Sequence, residues 1–139
     1  MKADATRALS EVYSLASGGD PEVFAWLLAF HGWAHAIDDF VDEPGHYAAE
    51  VVDLCARGVV LTSSGFYRQH AEALGPILAI VAEQYHASLA AEGALSHALR
   101  IAGNQVVLAV AYIRGGASLL RLVSERLWPI VQATQLSPP

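Results

Sequence analysis

The chain has 139 residues, 54% of them apolar and only 16% charged, with a net charge of −6. That length describes one domain with a real core, and eight scattered basic residues exclude a nucleic-acid surface. So large an apolar share predicts that a second subunit covers part of the surface, as in a homodimer.

Two longer uncharged runs, Val23–Ile37 and Ile101–Ile113, fall short of the roughly 20 residues of a membrane span. The stretch MKADATRALSEVY lacks the apolar segment of a secretory signal. Cys55 is the single cysteine, so no internal disulfide forms. The expectation is a cytoplasmic protein, with Cys55 a small buried filler.

In chain order, Ala3–Ala16 has Ala, Leu and Glu at helical spacing, and Ser17-Gly18-Gly19 ends it. Asp20-Pro21-Glu22 then starts a second helix, with Asp as N-cap and Pro at the first helical position. It runs to Pro44-Gly45. A third helix is expected over 46–61, burying Val51, Leu54, Cys55 and Val59, and 62–65 is a loop. Residues 66–91 read as one helix with Leu74, Ile77, Leu78, Val81 and Tyr85 at core spacing, kinked or split at Gly75-Pro76. Glu92-Gly93 breaks the chain. Residues 94–113 form the most apolar helix, ended by Gly115-Gly116, with Asn104 and Gln105 inside its buried run. The last helix, 117–132, lines up Leu120, Val123, Leu127 and Ile130, and Pro129 frays its end. No stretch alternates as a strand would. The fold class is therefore an all-α helical bundle of five to six helices, one domain over 1–134 with a loose tail at 135–139.

Chemistry concentrates on the second helix, in FAWLLAFHGWAHAIDDFVDE. At about 100° per residue, Trp26, Phe30, Trp33, Ile37, Phe40 and Val41 share one face. His31, His35, Asp38, Asp39 and Asp42 share the other, without a Lys or Arg. Acids crowd the C-terminal turns, where the helix dipole is already negative, so a cation is needed to offset them. Asp38 and Asp42, one turn apart and flanked by Asp39, suit Mg²⁺ or Mn²⁺, with waters and substrate phosphates completing the shell. The bland alternative is a solvated acidic helix end.

His31 and His35 are likewise one turn apart. They read as polar walls of a cavity more readily than as transition-metal ligands. A second polar stripe, His97, Arg100 and Asn104, recurs at i, i+3 and i+7. Facing the acids, Arg100 would bind a phosphate and Asn104 a metal-bound water; otherwise they form an ion pair and a satisfied core amide. Tyr67, Arg68 and His70 are a third candidate for an anionic ligand. No Gly-rich phosphate loop, G-x-S-x-G or Cys-rich zinc pattern is present.

The segment AFHGWAHAIDDFVDEP resembles the first aspartate-rich motif of the class I isoprenoid synthases, in particular the squalene/phytoene synthase branch. The resemblance covers about 20 residues of a chain about half the usual length. It implies a Mg²⁺-dependent site for a prenyl diphosphate, with Asp38, Asp39, Asp42 and Glu43 as metal ligands. It also implies a second acidic motif, which the chain lacks, and an arginine before the acids, where His35 lies instead. A homodimer bringing two acidic helices together would restore a two-sided site. The run D-D-x-x-D-E followed by Glu50-Val51-Val52-Asp53 is also similar to the all-α nucleotide pyrophosphohydrolases of the MazG and dimeric dUTPase type. That likeness implies Mg²⁺ held by Asp38, Asp39, Asp42, Glu50 and Asp53 against a nucleoside triphosphate. A non-enzymatic binding or assembly protein with a structural acidic stripe is the third reading. The expected ligand in the first two is a small anion, a diphosphate above all.

Overall fold

The computed structural model describes residues 2–42, 48–101 and 103–136. Its elements are α1 (Lys2–Ala16), α2 (Pro21–Asp42), α3 (Ala48–Ser63), α4 (Gly65–Gln69), α5 (Ala71–Ser88), α6 (Gly93–Ile101) and α7 (Asn104–Leu136), with no strand among the described residues. The fold is an all-α bundle. The helix stop expected at Pro44-Gly45 lies outside the described residues.

The α1–α2 junction follows its sequence signals. The Asp20 Oδ1 accepts from the backbone N–H of Glu22 at 2.9 Å and of Val23 at 3.5 Å, capping α2. A distant residue locks the turn: Arg114 on α7 donates from Nε to the Ser17 carbonyl at 3.0 Å, and its Nη2 lies 3.7 Å from Asp20 Oδ2.

Other boundaries differ from the expectation. The loop at 62–65 shrinks to Ser64, whose hydroxyl accepts from the Tyr67 N–H at 3.1 Å and caps α4. Glu22 reaches across from α2 to accept from the Phe66 N–H at 3.1 Å. Gly65 permits that approach, because a Cβ there would sit 2.9 Å from Glu22 Oε1. The helix expected over 66–91 breaks at His70 (φ −122°, ψ 23°) and not at Pro76, which lies within α5. Pro76 sits near the helix start, where its missing N–H forfeits one bond without splitting the helix. The helix expected over 94–113 is interrupted before Asn104, whose Nδ2 donates to the Ile101 carbonyl at 2.9 Å. At Gly115-Gly116 the chain kinks, with Gly116 at φ 68°, and then resumes as helix. Helix α7 carries Pro129 internally and continues to Leu136, beyond the start of the expected loose tail.

The core forms where α1, α2, α5 and α7 meet. Val23, Trp26, Leu27 and Phe30 of α2 pack with Val12, Tyr13, Leu74, Val81, Val106, Val107, Val110, Val123 and Leu127. Each such side chain contributes about 1.5–3 kcal/mol through burial. Trp26 stacks near Phe30 and Tyr67 and meets Phe66 edge-on, with centroids 6.2, 6.4 and 5.6 Å away. Its indole N–H donates to the Leu61 carbonyl at 2.9 Å, fixing the end of α3 against α2. The stretch 93–133 is long and apolar enough by composition to cross a membrane, a length the shorter run Ile101–Ile113 concealed. In the fold it is divided at the α6–α7 junction and at Gly116; 28% of its apolar window is buried, including the core residues Val106, Val107, Val110 and Ala111.

Helix α3 overturns its expected orientation. Its one buried residue is Leu61, while Val51, Val52, Val59 and Val60 are 45–67% exposed and Cys55 is exposed rather than a buried filler. Gln105 is likewise exposed and Asn104 half-buried, because the helix start at Asn104 turns both away from the core centre.

Candidate functional site

The polar stripe of α2 borders two separate concavities. One, of about 350 Å³, lies between α1, α2, α5, α6 and the start of α7. It brings together His31, His35 and Asp38 with His97 and Asn104, the two stripes paired by sequence spacing. Tyr13, Tyr85, Leu9, Phe30 and Ile101 complete its walls. The pocket is at the small end of the range for ligand sites, roughly 300–1,000 Å³.

Its best-defined contact joins α1 to α2. The Tyr13 hydroxyl lies 3.0 Å from His31 Nδ1, and the rings meet edge-on at 5.6 Å. Burial pushes the Tyr13 phenol up to about 12. The His31 pKa is lowered, first by burial and then by the neighbouring His35, whose ring centroid is 4.4 Å away. A neutral imidazole beside a protonated phenol shares one proton across this contact, with the phenol able to donate or accept according to the imidazole tautomer.

Asp38 and Asp39 part company. Asp38 is half-buried on the first pocket, whereas Asp39 is exposed and borders a cleft of about 580 Å³ between α2 and α3. Adjacent helical residues point about 100° apart, so these two carboxylates do not share one opening. The cleft also holds Glu50, Asp53 and Arg57, and His35 stands on the ridge between the two openings. Arg57 donates from Nε to Asp53 Oδ2 at 2.9 Å, an exposed i, i+4 pair. Its guanidinium lies against α2 at Gly32, where a Cβ would fall 2.8 Å from Nη1.

The side chains of Asp42 and Arg100, and Glu43 altogether, lie outside the described residues. Arg68 is exposed on α4 and borders neither opening; Tyr67 packs on the core and His70 against Phe66. Sequence spacing marks Tyr85 as a core residue and marks neither Tyr13 nor Arg57 as a site residue. Only the Asp53–Arg57 spacing carried a signal for any of them, whereas the tyrosines look like ordinary core positions. A third concavity, of about 740 Å³ between α1 and the second half of α7, contains none of the expected site residues.

Among the described residues, no three of His, Cys, Asp and Glu gather closely enough to enclose a metal ion. That arrangement does not make a closed zinc site. Asp38 is the one carboxylate among the described residues lining the first pocket, a donor set that Mg²⁺ would have to complete with waters and ligand oxygens. No family model, curated protein or solved structure matches the chain.

Proposed function

We propose that the pocket between α2 and the α6–α7 junction binds a small diphosphate-bearing ligand with Mg²⁺, in the manner the isoprenoid-synthase resemblance implies. The observation that carries this reading is the meeting of the α2 stripe (His31, His35, Asp38) with His97 and Asn104 across one opening. Asp38 would hold the metal, with Asp42 joined to it by sequence spacing alone. When bound, Mg²⁺ would neutralise the diphosphate and stabilise its departure. His31, tied to Tyr13 through Nδ1, would offer its other ring nitrogen to a ligand, and Asn104 is held by its bond to Ile101. Leu9, Phe30 and Ile101 supply an apolar wall, and a volume of about 350 Å³ suits a short prenyl group rather than a long one.

The cleft between α2 and α3 favours a second reading. Asp39, Glu50 and Asp53 face one opening from two helices, as the nucleotide pyrophosphohydrolase likeness implies. Titration calorimetry with dimethylallyl diphosphate and with a nucleoside triphosphate, each with Mg²⁺, separates the two. The first reading expects the prenyl diphosphate to bind, Asp38→Asn to abolish binding and Asp39→Asn to preserve it. Nucleotide binding lost in Asp39→Asn and Asp53→Asn would replace it with the second. Absence of binding by either compound would leave the acidic stripe structural.

A further inference from the structure

Three imidazoles and no fixed cation line the pocket between α2 and the α6–α7 junction, among the described residues. Its titratable groups are Tyr13 from α1, His31, His35 and Asp38 from α2, Tyr85 from α5 and His97 from α6; α7 brings Gly103 and Asn104. Positive charge supplied by these side chains has to come from imidazoles, which carry it only when protonated.

The three histidines are not equivalent. His35 and His97 are exposed, so water screens their charge. His31 is half-buried, and its ring centroid is 4.4 Å from that of His35. Burial and then His35 hold its pKa below the ordinary imidazole range. Both effects oppose the charged form, and an anion against the ring counters both. His31 also has a partner that tolerates either state. The Tyr13 hydroxyl, 3.0 Å from Nδ1, can donate to a bare ring nitrogen or accept from a protonated one. A proton gained by His31 therefore leaves that contact satisfied, and the second N–H of the cation serves a ligand oxygen.

We infer that a diphosphate enters this pocket together with one proton, taken from the surrounding buffer and carried by His31 as an imidazolium that donates to a ligand oxygen. The inference rests on the diphosphate reading of the pocket and adds its pH dependence. Between the His31 pKa values of the empty and the filled pocket, affinity falls by up to about tenfold for each unit rise in pH.

Long-range proton–nitrogen NMR of the imidazole rings, at about pH 7, reads protonation on the wild-type protein, with His31 identified by its contact with Tyr13. With Mg²⁺ alone His31 is expected to be neutral, and with Mg²⁺ and saturating pyrophosphate an imidazolium. A His31 that stays neutral while other pocket signals move with pyrophosphate overturns this inference and leaves the binding reading intact. Signals unmoved by pyrophosphate overturn both. Calorimetry gives a second measurement, comparing the pyrophosphate affinity of wild type and His31→Gln. The ligand's own titration is common to both proteins, so the ratio of affinities isolates His31. That ratio is expected to rise by up to about tenfold from about pH 8 to about pH 7, and a constant ratio overturns the inference.

Discussion

Arg114 is expected to be a principal tie between α7 and the start of the bundle. It donates to the carbonyl of Ser17, which is 1% exposed, and lies near Asp20 Oδ2. Arg114→Met keeps the aliphatic stem against Gly18 and removes only the guanidinium. A hydrogen bond from a charged group contributes about 1.5–3 kcal/mol. The ion pair, at 3.7 Å and about one-third exposed, adds at most about 1 kcal/mol after solvent screening. A net loss of about 2 kcal/mol follows if the Ser17 carbonyl gains a water in exchange. For a domain of this length that corresponds to about 7 °C in Tm. Urea unfolding followed by circular dichroism measures it, with the exposed Arg121→Met on the same helix as control. A loss below about 0.5 kcal/mol, the range of an ordinary surface substitution, would refute the reasoning.

Trp26→Phe leaves the buried Leu61 carbonyl without its donor and is expected to cost about 1–3 kcal/mol in the same assay. Gly65→Ala pushes Glu22 off the Phe66 N–H and is expected to cost about 1 kcal/mol, the worth of a cap; in a Glu22→Ala background that cost should largely vanish, and full additivity would contradict the contact. His31 has a lowered folded pKa, so the unfolded chain takes up its proton first as pH falls. Stability should therefore drop as pH falls through about 6.5 in EDTA, and His31→Gln should flatten that slope; an unchanged slope contradicts the burial of a neutral imidazole. Tyr13 has the opposite dependence: its phenol is held up to about 12 against an ordinary value of 10.0, so up to about 2.7 kcal/mol is lost as pH rises from 10 to 12. Tyr13→Phe should remove that alkaline loss.

Periodicity made the bundle legible, because apolar residues at helical spacing must find a core whatever the topology. The capping signals Asp20-Pro21-Glu22 were equally readable, since they act within one turn. Helix α3 was not. Its valines have the pattern of a buried stripe, and a sequence does not say whether a stripe is covered by its own chain. The break at His70 was missed because it depends on how α4 docks on Trp26, a contact far apart in sequence. The α2 stripe and the His97–Asn104 stripe were separately visible from spacing, and the bundle brings them to one pocket. Residues that share a half-cylinder by spacing need not share an opening, because neighbouring helices divide a helix face into narrower sectors, as they do for Asp38 and Asp39. Tyr13 had no local mark of its role, which arises from the packing of α1 on α2.

The central claim is a Mg²⁺-dependent diphosphate site at Asp38, and the direct measurement is Tm in EDTA, in Mg²⁺, and in Mg²⁺ with pyrophosphate, for wild type and Asp38→Asn. A ligand at 100 times its Kd stabilises the fold by about 2.7 kcal/mol. The account expects wild-type Tm to rise with Mg²⁺ and again with pyrophosphate, and both rises to disappear in Asp38→Asn. Equal Tm in all three solutions, or rises that survive Asp38→Asn, would contradict it.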